Sequence, residues 1–167
     1  VNTKRLVLLA LFVAVSYIGA NLKIMGTIAF DSMPGFLGAL LLGPVEGAFI
    51  GAAGHFFTAL LSGFPLSLPV HLLIMADMAA AMAVFGLIYR HISARQGNAY
   101  TARLLAMMAG TAVNGPLALL LLAPWLLPAM GRSGMLALLP VLTGAALLNI
   151  VLAFLLYRIL SKHLQHR

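Results

Sequence analysis

The chain contains no cysteine. That absence excludes disulfide bridges, thiolate metal sites and cysteine nucleophiles. Charge is nearly as scarce: 8% of the 167 residues are charged, against roughly a quarter in a typical soluble domain. With 63% of the residues hydrophobic, too little polar surface remains to solvate a water-soluble fold. There is no GxxxxGK[ST] phosphate loop, so energy for any driven process must come from elsewhere. No evenly spaced ladder of carboxylates marks a proton relay, and no clear internal repeat marks a two-fold secondary transporter. The net charge of +7 sits in short clusters between apolar runs, with no basic amphipathic surface. It is read as the charge that orients a membrane protein, not as a nucleic-acid footprint.

What is present is apolar sequence in long stretches, and runs of about 18 residues or more are read as membrane spans. Six segments can be traced, over residues 6–21, 33–42, 47–61, 68–89, 104–127 and 135–157. The first continues into further apolar segments and no polar mature domain, so it is read as a membrane helix and not as a signal peptide. Gly43-Pro44 separates the second from the third, because proline disfavours helical geometry in the residue before it. The second rises only about 15 Å, half of a hydrocarbon core of about 30 Å. It must be tilted, re-entrant or sheltered by its neighbours. The expectation is an all-α integral membrane protein: one domain over residues 1–167, with six transmembrane helices and the second one short. Lys4, Arg5, Arg90, Arg95, Arg103, Arg158, Lys162 and Arg167 fall on one side, and Lys23 and Arg132 on the other. The positive-inside rule then places both termini in the cytoplasm of a plasma (inner) membrane protein. Residues 23–32, 62–67 and 128–134 become the outer loops.

Small residues recur at a spacing of four, which lets helix backbones approach closely in lipid. Ala10 and Ala14 do so in the first helix, Gly43, Gly47 and Gly51 at the third, and Ala76/Ala80 and Ala79/Ala83 in the fourth. Internal packing is the expectation for most of them.

Ionisable and amide side chains are expensive in hydrocarbon, so each invites a functional reading. Asp31 and Ser32 lie in the first outer loop. His71 sits near the outer end of the fourth helix, and Asp77 lies about 9 Å deeper. Asn114 is close to mid-membrane in the fifth helix. Asp77 needs a partner or a water-filled cavity; the candidate partners are His71 at i−6, which is not a helix-face neighbour, or a bound ligand's donor. His55 and Asn149 read most simply as side chains bonded to neighbouring backbone carbonyls. Glu46 suits the N-terminal dipole of the third helix, and Lys23 and Arg132 are interfacial anchors. Trp125 and Tyr17 fit either an aromatic belt or stacking on a planar ligand. Asp31, Ser32, His71, Asp77, Asn114 and Trp125 together suggest a site open to the outside that captures a small solute.

Enzyme readings fare poorly. Gly131-Arg132-Ser133-Gly134 matches the GxSG pattern of rhomboid-type proteases. The only later histidines, His163 and His166, fall on the wrong side to activate the serine. A metal site from His55, His71 and Asp77 lacks the i, i+3 or i+4 ligand spacing of a helix. No catalytic residue, metal or cofactor is expected.

The stretches Asp31-Ser32-Met33-Pro34-Gly35-Phe36, Leu42-Gly43-Pro44-Val45-Glu46-Gly47 with Gly51, Gly54-His55, Ser62-Gly63-Phe64-Pro65 and Leu68-Pro69-Val70-His71 form an ordered series. With Ala10 and Ala14 before them, they resemble the substrate-binding S component of energy-coupling factor (ECF) transporters. The resemblance implies a subunit that captures a vitamin or vitamin precursor from outside. It also implies docking, through the Ala10 and Ala14 face, on a membrane coupling protein that carries two cytoplasmic ATPase subunits. The pattern from Asp31 to His71 looks most like the subgroup associated with α-ribazole, a cobalamin precursor. Nickel and cobalt members of the family start Met-His whereas this chain starts Val1-Asn2-Thr3, which speaks against metal uptake. The rival reading is a self-sufficient secondary transporter.

Overall fold

A computed structural model of the chain describes residues 3–21, 23–24, 28–96 and 98–164. Val1, Asn2, His166 and Arg167 lie outside the described residues, as do the side chains of Lys23 and His163. The chain is almost wholly helical: α1 (Thr3–Asn21), α2 (Met33–Leu41), α3 (Pro44–Leu61), α4 (Leu68–Gln96), α5 (Ala99–Ala112) and α6 (Ala118–Leu164). Two short strands, β1 (Lys23–Ile24) and β2 (Ile28–Ala29), pair antiparallel in the loop after α1. The apolar pattern gives no sign of this hairpin.

Four stretches are long and apolar enough to cross a membrane: Thr3–Asn21, Pro44–Leu61, Leu68–Arg95 and Ala99–Lys162. The last has 64 residues, about 96 Å of helix, roughly three times a hydrocarbon core. It does not run straight. Gly131 leaves helical geometry at φ 70 and ψ 179, a backbone state that only glycine adopts cheaply. The two arms of α6 meet there. Leu119, Leu122 and Leu126 from before the break share one apolar cluster with Met135, Leu138 and Leu142 from after it. A methyl group added at Gly115 would lie 3.0 Å from Thr143 Cα, so the second arm returns against the first. Between α5 and α6 the helix widens into one π-helical turn, Val113–Leu117. Pro116 lies within it, and a proline has no N–H to give to the ladder.

The short helix α2 is sheltered, as its length requires. Pro34 through Leu40 are all buried, and α2 packs on α1, α3, α4 and α6. Gly43 at φ 146 ends the turn after α2 and starts α3. Gly47 then brings α3 onto α2: a methyl group there would lie 2.7 Å from Ala39 Cα. Phe36 meets Phe85 edge-on at 5.1 Å between ring centroids, and Phe85 meets Phe154 at 5.4 Å. The core therefore has α2 at its centre. Of the alanine pairs, Ala79 and Ala83 are half-buried, but Ala76 and Ala80 are exposed on α4. Those two do not serve internal packing, because α4 turns that face away from its neighbours.

Basic residues gather at one end. Arg5 forms an ion pair with Glu46 in the first turn of α3, so Glu46 binds α1 as well as suiting the helix dipole. A methyl group at Gly43 would come within 3.6 Å of Arg90 Nη1. Tyr89 beside Arg90 meets Tyr157 beside Arg158, with ring centroids 6.1 Å apart. Arg5, Arg90 and Arg158 thus share the end opposite the β-hairpin.

Candidate solute-binding cavity

The loop that carries Asp31 is fastened on both sides. Phe30 N–H donates to Gly19 O at 3.1 Å, and the Ser16 hydroxyl donates to the Asp31 carbonyl. Ser16 in turn lies against Gly54 of α3, where any side chain would collide with it. One face of α1 therefore sets the position of Asp31. The start of α2 is held differently. Ser32 makes no side-chain cap bond; the Met33 N–H donates to Asn149 Oδ1 of α6 at 2.9 Å, and Asn149 Nδ2 donates to Ala145 O at 2.9 Å. Asn149 is 1% exposed. It does bond a backbone carbonyl, and it also caps another helix.

These contacts surround a cavity of about 250 Å³. Asp31, Ser32, His55, Asp77, Asn114 and Asn149 are its polar lining, and Ile74, Met78, Leu122 and Leu142 are among its apolar walls. Four residues expected from the sequence are brought together here: Asp31, Ser32, Asp77 and Asn114. Asn114 comes from the π-helical turn, a distortion often found at functional sites. His71 lies one bond behind the cavity, buried at 7% exposure, with its Nδ1 3.0 Å from His55 Nε2. Its ring packs edge-on to Phe64 at 5.7 Å. Phe64 and Ser67 of the 62–67 loop have positive φ, 49° and 88°, which is uncommon for residues with side chains. Trp125 is not brought in. It is 45% exposed on α6 and does not line the cavity. Tyr17 is also elsewhere, in a groove described below.

Electrically the cavity is one-sided. Two carboxylates line it, and among the described residues no lysine or arginine does. His55 Nδ1 lies 4.0 Å from Asp31 Oδ2, too long for a hydrogen bond. Which ring of the His55–His71 pair donates depends on their tautomers. His55 Nδ1 and His71 Nε2 are buried without a hydrogen-bond partner. Asp77 is 8% exposed and makes no hydrogen bond or ion pair among the described residues. A buried carboxylate left in that state costs several kcal/mol when ionised. Among the described residues the arrangement therefore lacks positive charge to match its carboxylates. Among the described residues no group of three or more histidine, aspartate or glutamate side chains is placed to hold a metal ion.

A family model described as the ECF transporter, substrate-specific component, matches residues 4–161. The chain belongs to that family. No curated protein and no solved structure matches it. A substrate-specific component is a substrate-binding subunit of a transporter in a multi-pass membrane assembly, and not an enzyme. In this substrate-specific component a larger apolar groove, of about 750 Å³, runs between α1 and α3. Leu6, Ala10, Val13, Ala14 and Tyr17 line one wall, and Phe49, Ala53 and Phe57 are on the other. Ala10 and Ala14 are both exposed. The sequence offers no reason to pair His55 with His71, or to assign Ser16 and Gly54 to the support of Asp31. Spacing along one helix does not report contacts between helices.

Proposed function

We propose that this substrate-specific component captures a small, donor-rich or positively charged organic solute in the cavity lined by Asp31, Asp77 and Asn114. The observation that carries the reading is Asp77: buried, and among the described residues without a partner and in a cavity that offers no cation. A ligand donor there would supply what the carboxylate lacks. His71 acts through His55, and Ser32 contributes its hydroxyl. The chain makes six crossings, with the arms of α6 as the last half of the fifth and the whole of the sixth. Both termini lie in the cytoplasm of the plasma membrane, at the basic end, and the cavity opens outside. The groove at Ala10 and Ala14 receives the membrane coupling protein, whose two ATPase subunits supply the energy.

A vitamin or vitamin precursor suits the cavity volume, and α-ribazole, with its ribose hydroxyl donors, is the first to try. The test is mass spectrometry of small molecules that co-purify with the detergent-solubilised chain, then calorimetric titration of each. Saturable binding of one such solute, lost on Asp77→Ala, is the expected result. A chain that binds nothing across a panel of vitamins and corrinoid precursors, yet moves solute alone in liposomes, overturns the reading.

A further inference from the structure

A third groove, of about 330 Å³, lies between α5 and the second arm of α6. Leu104, Met107, Val151 and Phe154 give it an apolar lining, and Arg103 and Arg158 line it as well. Arg103 precedes Met107 by about one helical turn, and Arg158 follows Phe154 by about one turn. On antiparallel helices this puts both arginines at the same end of the groove, with apolar side chains deeper. Tyr100 stands at the same end.

Among the described residues these charges have no anion of their own. The chain has three acidic residues: Asp31 and Asp77 line the cavity, and Glu46 pairs with Arg5. Neither Arg103 nor Arg158 forms an ion pair among the described residues. Two guanidinium groups above an apolar channel match an amphiphile with an anionic head. Guanidinium groups bind phosphate oxygens in a fork, and basic sites between membrane helices select anionic head groups. We infer that the Arg103–Arg158 groove binds an anionic phospholipid, its phosphate on the two arginines and an acyl chain along Leu104, Met107, Val151 and Phe154. A protein partner is disfavoured by location. The groove at Ala10 and Ala14 belongs to α1 and α3, whereas α5 packs on α4 and α6. A partner seated on α1 leaves the α5–α6 groove facing lipid. The inference holds whichever solute the cavity takes.

The experiment is native mass spectrometry of the full chain released from detergent containing equal amounts of phosphatidylglycerol and phosphatidylcholine with identical acyl chains. The wild type should retain phosphatidylglycerol with a preference on the order of tenfold. Arg103→Gln with Arg158→Gln should abolish the preference, while Arg90→Gln with Arg95→Gln, equal in charge lost, should keep it. Leu155 also lines the groove; Leu155→Trp, which keeps both arginines and fills that space, should also reduce retention, so that a misfolded double variant does not decide the matter. Equal retention of the two lipids by the wild type overturns the site. So does displacement of the lipid by equimolar glycerol phosphate, which would mean an anion site without a chain channel. Loss of coupling-protein capture in the double variant, with lipid retention unchanged, would make the groove a protein interface instead.

Discussion

Asp77 is conspicuous in the sequence because a carboxylate inside a long apolar run has no inexpensive explanation. Its position in the cavity gives that anomaly a use. Asp77→Asn should weaken solute binding by about 1.5–3 kcal/mol, the worth of a hydrogen bond to a charged group. Calorimetric titration reads this as a loss of tenfold or more, and an unchanged affinity would make Asp77 a packing residue. Asn114 is legible as a polar group at mid-membrane, whereas Asp31 and Ser32 are legible only as polar residues of an outer loop. His55 is not: the sequence has it bonding a backbone carbonyl, and instead it meets His71 across two helices at 3.0 Å. Asn149 is half legible, since its bond to Ala145 is local but its cap on α2 spans 116 residues. Depth alone assigns Trp125 to the site, and depth does not fix rotation about the helix axis. On α6 that rotation turns the indole outwards, 45% exposed.

At the scale of elements, two glycines show how one residue type serves opposite needs. Gly47 is small because Ala39 is close; Gly131 is flexible because its φ is 70°, with nothing within 4 Å of an added Cβ. Gly131→Ala should therefore cost only the strain of holding a side chain in that glycine-only backbone state, roughly 1–3 kcal/mol. Gly47→Val meets backbone that cannot step aside, at the upper end of the roughly 1–3 kcal/mol of overpacking or beyond. Thermal melting in detergent should rank Gly47→Val well below Gly131→Ala; equal midpoints would mean that the α2–α3 seam is loose. The apolar segments are readable because hydrocarbon demands them, and Gly43-Pro44 fixes the boundary of α2. The hairpin of β1 and β2 leaves no pattern in so short a stretch. The π-helical turn has a signal in Pro116, but proline alone does not say whether a helix kinks, breaks or widens.

For the molecule as a whole, the basic end and the cavity end are the two poles, and their orientation is open to a direct test. The chain has no cysteine, so single cysteines can be placed without background. Ser133 and Ala94 are both exposed. Ser133→Cys should react with a membrane-impermeant thiol reagent in intact cells, whereas Ala94→Cys should react only after permeabilisation. The reverse pattern would invert the orientation proposed above. Docking is tested at the same scale. Ala10→Leu with Ala14→Leu fills the α1–α3 groove and touches no cavity residue, so solute should bind normally while uptake in cells falls at least tenfold. Normal uptake at matched expression would remove α1 as the docking surface. Charge placement makes the poles legible; the groove is not, because its far wall comes from Phe49, Ala53 and Phe57 on another helix.

The fastening of Asp31 has a mechanical consequence. Ala10 and Ala14 lie exposed on α1, while Ser16, less than one turn beyond Ala14, holds the carbonyl of Asp31. Arg5 ties the other end of α1 to α3, so the two helices form a single stiff handle. A torque applied to that handle by a partner reaches a carboxylate of the solute site through one helix, with no relay to build.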